Sequence, residues 1–101
     1  MASILAVLVA VQFWGGWPPD CGPRGIHVNH RPLPGLAVAE AWPADCIVVL
    51  DRTHHWTRRK RCQVMIHEVG HLFHLPHSKD RTSVMFPVLG RRNVPGICNR
   101  P

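Results

Sequence analysis

Two histidines four residues apart, with a third beyond a proline, constrain this chain of 101 residues more than any other feature. On a helix, His67 and His71 are separated by ~40° of rotation and ~6 Å of rise, so both imidazoles lie on one face. Two ring nitrogens so placed can bind one zinc ion at ~2.0–2.1 Å each. Glu68 lies ~100° round the helix from His67, beside the metal without being forced to bind it. The segment therefore predicts a metal-binding helix with an adjacent carboxylate.

The helix that carries these residues is predicted to span about residues 58–73. Thr57 is a suitable N-cap, because its hydroxyl can accept a hydrogen bond from the first turn. Pro76 disfavours helical geometry at Leu75, so the helix should stop near His74. Apolar residues recur at steps of three and four and predict the buried face, namely Cys62, Met65, Ile66, Val69, Leu72 and Phe73.

His74 and His77 compete for the position of third ligand. A catalytic zinc takes three protein ligands and keeps one position open. His74 continues the helical face, but it lies ~10.5 Å from His67 along the axis, which is a stretched span for two imidazoles on one ion. A turn after the helix can bring His77, beyond Pro76, back to the metal. We therefore expect His77 to be the third ligand and His74 to be the turn residue.

The residues before the helix predict a small sheet. The β-branched run Cys46–Leu50 is the strongest strand, and residues 36–42 alternate loosely in polarity. A turn at residues 43–45 would join them into an antiparallel hairpin, and residues 26–29 form a further short strand. The outer strand offers an edge to which an extended peptide can add by main-chain hydrogen bonds.

A single domain covering residues 1–101 is expected from the length. The apolar start, MASILAVLVAV, has no basic residue ahead of it, and the residues that follow make a poor small-x-small cleavage site. A degenerate secretion signal, a first strand and a short helix remain alternatives for residues 1–13. The stretch is too short to span a bilayer as a helix, so no transmembrane segment is expected.

The charge of +6, from 12 Lys and Arg against 6 Asp and Glu, favours anionic partners in general. The basic residues are scattered, apart from two runs at residues 58–61 and 91–92, and the first run is interpreted as the solvated start of a helix. A nucleic-acid partner is disfavoured, because no aromatic interleaving and no nucleic-acid motif accompany these runs. A binding protein for nucleic acid or for an anionic cell-surface polymer would need both runs on one face.

Four cysteines in a short chain are compatible with two disulfides and an oxidising compartment, so we expect a secreted protein. Four cysteines allow three pairings, and the sequence alone does not choose between them. Cys62 begins the helix and Cys98 lies in the irregular tail. We favour a Cys62–Cys98 bridge on that ground, which leaves Cys21 to pair with Cys46.

Residues 67–78 (HEVGHLFHLPHS) resemble the metzincin zinc signature HExxHxxGxxH, and residues 83–87 (SVMFP) resemble the Met-turn that follows it. Ser78 and the SVMFP run are most similar to the matrixin branch. The resemblance implies an α+β fold, in which a short mixed sheet packs on one zinc-binding helix and the Met-turn lies below the metal. The family has glycine where this chain has His74, and a residue at that turn can need a positive φ.

By this resemblance His67, His71 and His77 bind one catalytic zinc ion, Glu68 is the general base and Met85 is the Met-turn residue. The edge strand that aligns the substrate would comprise Leu36, Ala37, Val38, Ala39, Glu40 and Ala41. The implied activity is that of a zinc-dependent endopeptidase, in which a monomer hydrolyses peptide or protein substrates with a water that Glu68 activates.

A non-catalytic zinc protein is the principal alternative, since a bound metal can stabilise a small fold without taking part in a reaction. Structural sites tend to close with a fourth ligand, and His74 is the obvious candidate for it. The carboxylate of Glu68 argues against this alternative, because a structural site needs no base beside the metal.

Overall fold

The computed structural model describes residues 2–99 and shows an α+β architecture of two helices and one three-stranded mixed sheet, as the sequence predicts. The two helices pack on each other, and the second helix also packs on the sheet. The regular elements in chain order are helix α1 (Ala2–Trp14), strands β1 (His27–Arg31), β2 (Ala39–Trp42) and β3 (Ile47–Asp51), and helix α2 (Arg58–Leu72).

Strand β3 lies at the centre of the sheet, in the order β1-β3-β2. It pairs with β1 in parallel and with β2 in antiparallel orientation. Its residues Val48, Val49 and Leu50 are fully buried, because the strand has a neighbour on each edge and is covered on both faces. This explains why β3 is a continuous apolar run while its neighbours are not. Strand β2 is left as the edge strand next to α2.

The predicted hairpin over residues 36–50 is present, but its first strand is shorter than predicted. Gly35 adopts a φ of 67°, and the turn around it leaves Leu36 fully exposed. Pairing begins with the bond from the backbone N–H of Asp51 to the carbonyl of Val38, at 2.8 Å. Residues 36–38 therefore form a turn and a bend ahead of the sheet, and regular pairing starts at Ala39.

Of the alternatives for residues 1–13, the short helix is the one that the structure shows and the first strand is not formed, because Ala2–Trp14 form helix α1. Ala6 and Ala10 lie one turn apart on the buried face, and their small side chains allow α1 to approach α2 closely. The uniformly apolar run lacks the periodicity that distinguishes a helix from a strand. No helix within residues 2–99 has the length and apolar character needed to cross a membrane.

Both favoured disulfides are present. Cys21 pairs with Cys46 and joins the loop after α1 to the turn before β3. Cys62 pairs with Cys98 and joins the first turns of α2 to the tail, across a separation of 36 residues. Within residues 2–99 no free cysteine remains.

Candidate metal centre

Helix α2 begins where the sequence predicts. Thr57 is its N-cap, and the Thr57 hydroxyl accepts a hydrogen bond from the backbone N–H of Lys60 at 3.1 Å. The apolar stripe of the helix is buried against α1 and the sheet, and it fixes the rotation of α2 about its axis. That rotation directs His67 and His71 towards the cleft beside β2.

The C-terminus of α2 is a Schellman motif with His74 in the left-handed position. The backbone N–H of His74 donates to the carbonyl of His71 at 2.9 Å, and that of Leu75 donates to the carbonyl of Gly70 at 3.1 Å. His74 has a φ of 66°, a conformation that glycine usually supplies at this position. The expected strained turn residue is therefore present, and the turn leads the chain back past Pro76.

The histidine that follows the turn joins the two histidines on α2. The Nε2 atoms of His67 and His71 are 3.2 Å apart, and those of His71 and His77 are also 3.2 Å apart. One ring nitrogen from each of the three residues lies within 4.8 Å of the other two. Two nitrogens that share a tetrahedral zinc at ~2.0–2.1 Å lie ~3.3 Å apart. The spacing of the three imidazoles therefore suits a zinc ion.

Hydrogen bonds at Nδ1 orient two of the imidazole rings so that their Nε2 atoms face the centre of the histidine cluster. The Nδ1 atom of His67 lies 2.7 Å from the carbonyl oxygen of Val84, and the Nδ1 atom of His71 lies 2.9 Å from that of Leu75. A carbonyl oxygen only accepts, so in each ring Nδ1 carries the hydrogen and Nε2 is left as the acceptor. This is the tautomer in which a neutral imidazole binds a metal through Nε2.

Burial and the neighbouring imidazoles lower the pKa of two of these rings. Burial lowers the pKa of His67, and the nearby rings of His71 and His77 lower it further. Burial also lowers the pKa of His71, with a further contribution from His77. Both shifts favour the neutral imidazole, which is the form in which histidine binds a metal.

The Met-turn residues hold two of the three histidines. The carbonyl of Val84 fixes His67, and the carbonyl of Met85 accepts from the backbone N–H of Ser78, next to His77, at 2.9 Å. Met85 is buried, with 5% of its surface exposed. The turn therefore contacts His67 and the residue after His77 through backbone carbonyls, while the Met85 side chain is buried against Gly70.

His74 lies outside this group. Its Nε2 atom is 2.6 Å from a carboxylate oxygen of Asp20, and both side chains are largely exposed. Within residues 2–99 no fourth histidine, cysteine or carboxylate joins the three imidazoles. The alternative of a structural site closed by His74 therefore loses its fourth ligand.

Glu68 is buried beside the histidines, with 7% of its surface exposed. Burial raises the pKa of Glu68 to about 7, and the negative charge of Glu40 on the edge strand contributes to the rise. A carboxyl group with a pKa near neutrality can accept a proton and release it again at the working pH.

A cleft of about 690 Å³ runs past the three histidines and Glu68. The edge-strand segment forms one wall, and α2 forms another through Lys60, Val64 and the site residues. Residues 87–89 line the remaining side. All six predicted edge residues, 36–41, line the cleft, although only Ala39, Glu40 and Ala41 belong to β2.

Two supporting residues were missed by the reasoning from sequence. The indole Nε1 of Trp14 donates to the carbonyl of Ile66 at 2.9 Å and ties α1 to α2 directly before His67. Gly70 allows the sulfur of Met85 and the indole of Trp14 to approach the helix, since a Cβ at this position would lie 2.5 Å from that sulfur. The glycine inside the zinc motif was the available signal, because glycine in a helix interior often marks close packing.

Two sequence comparisons relate this chain to known proteins. The sequence profile of the matrixin family matches residues 27–97. Matrix metalloproteinase-26 of Homo sapiens is 35% identical over 88 residues, an alignment that covers 78% of this chain and 31% of that relative. The chain thus spans about a third of the length of that relative. No solved structure gives a significant match.

Proposed function

The chain belongs to the matrixin family of metalloproteases, and from this membership we propose that it is a zinc-dependent endopeptidase. His67, His71 and His77 would hold one catalytic zinc ion, and Glu68 would be the general base. The observation that carries the proposal is the convergence of three Nε2 atoms beside a buried carboxylate.

The residues of the chain divide the chemical work. Zinc, when bound, acts as a Lewis acid that polarises a carbonyl and acidifies a water. Glu68 accepts a proton from the attacking water and delivers it to the departing amine. Its pKa of about 7 suits both steps, and the burial that raises this pKa also keeps bulk water from the carboxyl group. Met85 supports the metal site from below and takes no part in proton transfer.

The edge of β2 would align the substrate. The strand pairs with β3 on one side and faces the cleft with residues 39–41 on the other. A peptide that adds to this edge in extended form brings its scissile bond past Glu68 and His67. The substrate class proposed is therefore an unstructured segment of a peptide or protein.

The two disulfides suit an oxidising compartment, so we propose that the protein is secreted. We further propose that residues 1–101 act as one domain and as a monomer. Helix α1 supports the single domain, because Trp14 hydrogen-bonds to the zinc-binding helix.

The experiment compares metal content and casein hydrolysis in the parent, Glu68→Gln and His71→Ala. Glu68→Gln should keep one zinc per chain and lose activity by about 10²–10⁴-fold, because an amide cannot accept the proton. His71→Ala should lose tight zinc binding, and chelator should abolish hydrolysis by the parent. Asp45→Asn, an exposed carboxyl-to-amide change remote from the cleft, should behave as the parent.

Two outcomes would contradict the assignment. Parental hydrolysis by Glu68→Gln would exclude this residue as the base, and stoichiometric zinc in His71→Ala would exclude that ligand. If the parent and Glu68→Gln both retain zinc and neither cleaves casein or unstructured peptides, the site is structural instead.

A further inference from the structure

A second pocket of about 380 Å³ lies at the beginning of α2, where the tail of the chain crosses it. Its basic lining consists of Arg59 and Lys60 from the helix and Arg91 from the tail segment. The two basic runs are some 30 residues apart in sequence, and the fold brings members of both to one face. Polar side chains complete the wall, notably Gln63 and Asn99.

Hydrogen bonds and a disulfide fix the walls of this pocket. The ammonium of Lys60 donates to the carbonyl of Leu89 at 2.8 Å, and the amide of Gln63 donates to the carbonyl of Gly90 at 3.0 Å. The Cys62–Cys98 bridge ties the same turn of α2 to the tail. Lys60 and the backbone that carries Arg59 and Arg91 are therefore held in place, which lowers part of the entropic cost of binding a ligand.

No side chain that the structure describes neutralises the positive charge of the pocket. Among those side chains, the one ion pair within 4.0 Å joins His74 to Asp20. Within residues 2–99, no carboxylate therefore pairs with Arg59, Lys60 or Arg91. Burial lowers the pKa of Lys60, as expected where a cation lacks a negative partner. An anion placed here would supply the negative partner that these cations lack.

We propose that this pocket binds the sulfate groups of an extracellular sulfated polysaccharide. Arginine guanidinium groups bind tetrahedral oxyanions through paired N–H donors, and Arg59 and Arg91 supply two such groups. The lining contains no aromatic side chain on which a nucleic-acid base could stack. The choice of a sulfated glycan rests on the secretion proposed above, which the two disulfides support.

The test measures binding of a heparin hexasaccharide to the full chain near ~0.15 M salt by calorimetry. The double variant Arg59→Gln/Arg91→Gln removes the two exposed cations of the pocket and leaves the catalytic cleft untouched. Its affinity should fall about 10-fold or more, because two charge-assisted contacts are lost. Arg52→Gln/Arg81→Gln removes the same charge at exposed positions outside the pocket, and its affinity should fall by less than about threefold.

Equal losses in the two double variants would overturn the proposal, because binding would then reflect net charge alone. Failure of the parent to bind heparin would also overturn it. A single-stranded oligonucleotide of equal charge should bind more weakly than heparin, and desulfated heparin should not bind. Equal affinity for the oligonucleotide, with the same sensitivity to the pocket variant, would reject the glycan. Circular dichroism checks the fold, and the single Arg91→Gln variant replaces the double variant if the latter unfolds.

Discussion

The position of His74 could be predicted although two features of the sequence pointed to different roles for it. The spacing of the histidines made it a candidate ligand, while Pro76 required the helix to end before it. The structure resolves the conflict in favour of the turn, with His74 at the left-handed position and His77 beside the other imidazoles. The bond between His74 and Asp20 was not predictable, because no local pattern relates residues 54 positions apart.

Replacing His74 tests the cost of its backbone conformation. His74→Gly and His74→Ala both lose the exposed contact with Asp20, so their difference reports the backbone alone. The glycine variant should be more stable than the alanine variant by about 1 kcal/mol, because alanine keeps the Cβ that crowds a left-handed residue. Urea unfolding measures the difference, and zinc content should be unchanged in both. Loss of zinc from His74→Gly, with zinc kept in His77→Ala, would reverse the ligand assignment.

Among the helices and strands, the sequence predicted those that are marked by residues within the element or next to it. Helix α2 had a cap, an apolar stripe and a proline stop, and β3 had a β-branched run, so both were found within a residue or two. The predicted first strand of the hairpin was longer than β2. The turn at Gly35 requires a positive φ, and the loose alternation of polar and apolar residues did not reveal it. The sequence did not decide between a helix and a strand for the segment that forms α1, because an unbroken apolar run fits both. The burial of this helix comes from its contact with α2.

The contact between α1 and α2 predicts a sensitive glycine. Gly70→Ala would place a methyl group 2.5 Å from the sulfur of Met85 and 2.9 Å from the indole of Trp14. Overpacking of this kind typically costs 1–3 kcal/mol, roughly the range expected here, despite the better helix propensity of alanine. Thermal unfolding followed by circular dichroism measures the loss.

A double-mutant cycle provides the control for this substitution. Met85→Ala removes the nearer obstacle, so Gly70→Ala should cost less in that background than in the parent. Additive effects would show that the close approach to Met85 does not limit the position. Gly96→Ala, which has open space around its Cβ, should change stability much less than Gly70→Ala.

For the whole molecule, cross-links offset the limited core of a short chain. Removal of the Cys62–Cys98 bridge by Cys62→Ala/Cys98→Ala should destabilise the protein by about 4 kcal/mol in the chain-entropy account. It should also weaken zinc binding, because the tail and the Met-turn lie in the loop that the bridge closes. Removal of Cys21–Cys46 should cost stability while leaving zinc affinity in the folded state largely unchanged. Urea unfolding and zinc titration distinguish the two, and equal zinc affinities in both variants would contradict the special role of Cys62–Cys98.

The same bridge turns residues 62–98 into a covalent ring that contains every residue assigned to the metal, together with Glu68 and the Met-turn. The loop at Lys79 and Arg81 is exposed and lies inside this ring, so it is open to tryptic cleavage and to any peptidase nearby. A single cut there divides the chain but releases nothing, because Cys62 stays on one piece and Cys98 on the other. The cut protein should run as one band until it is reduced and as two bands afterwards. A chain linked this way can be cut in this loop without losing the segment that carries His77 and Met85.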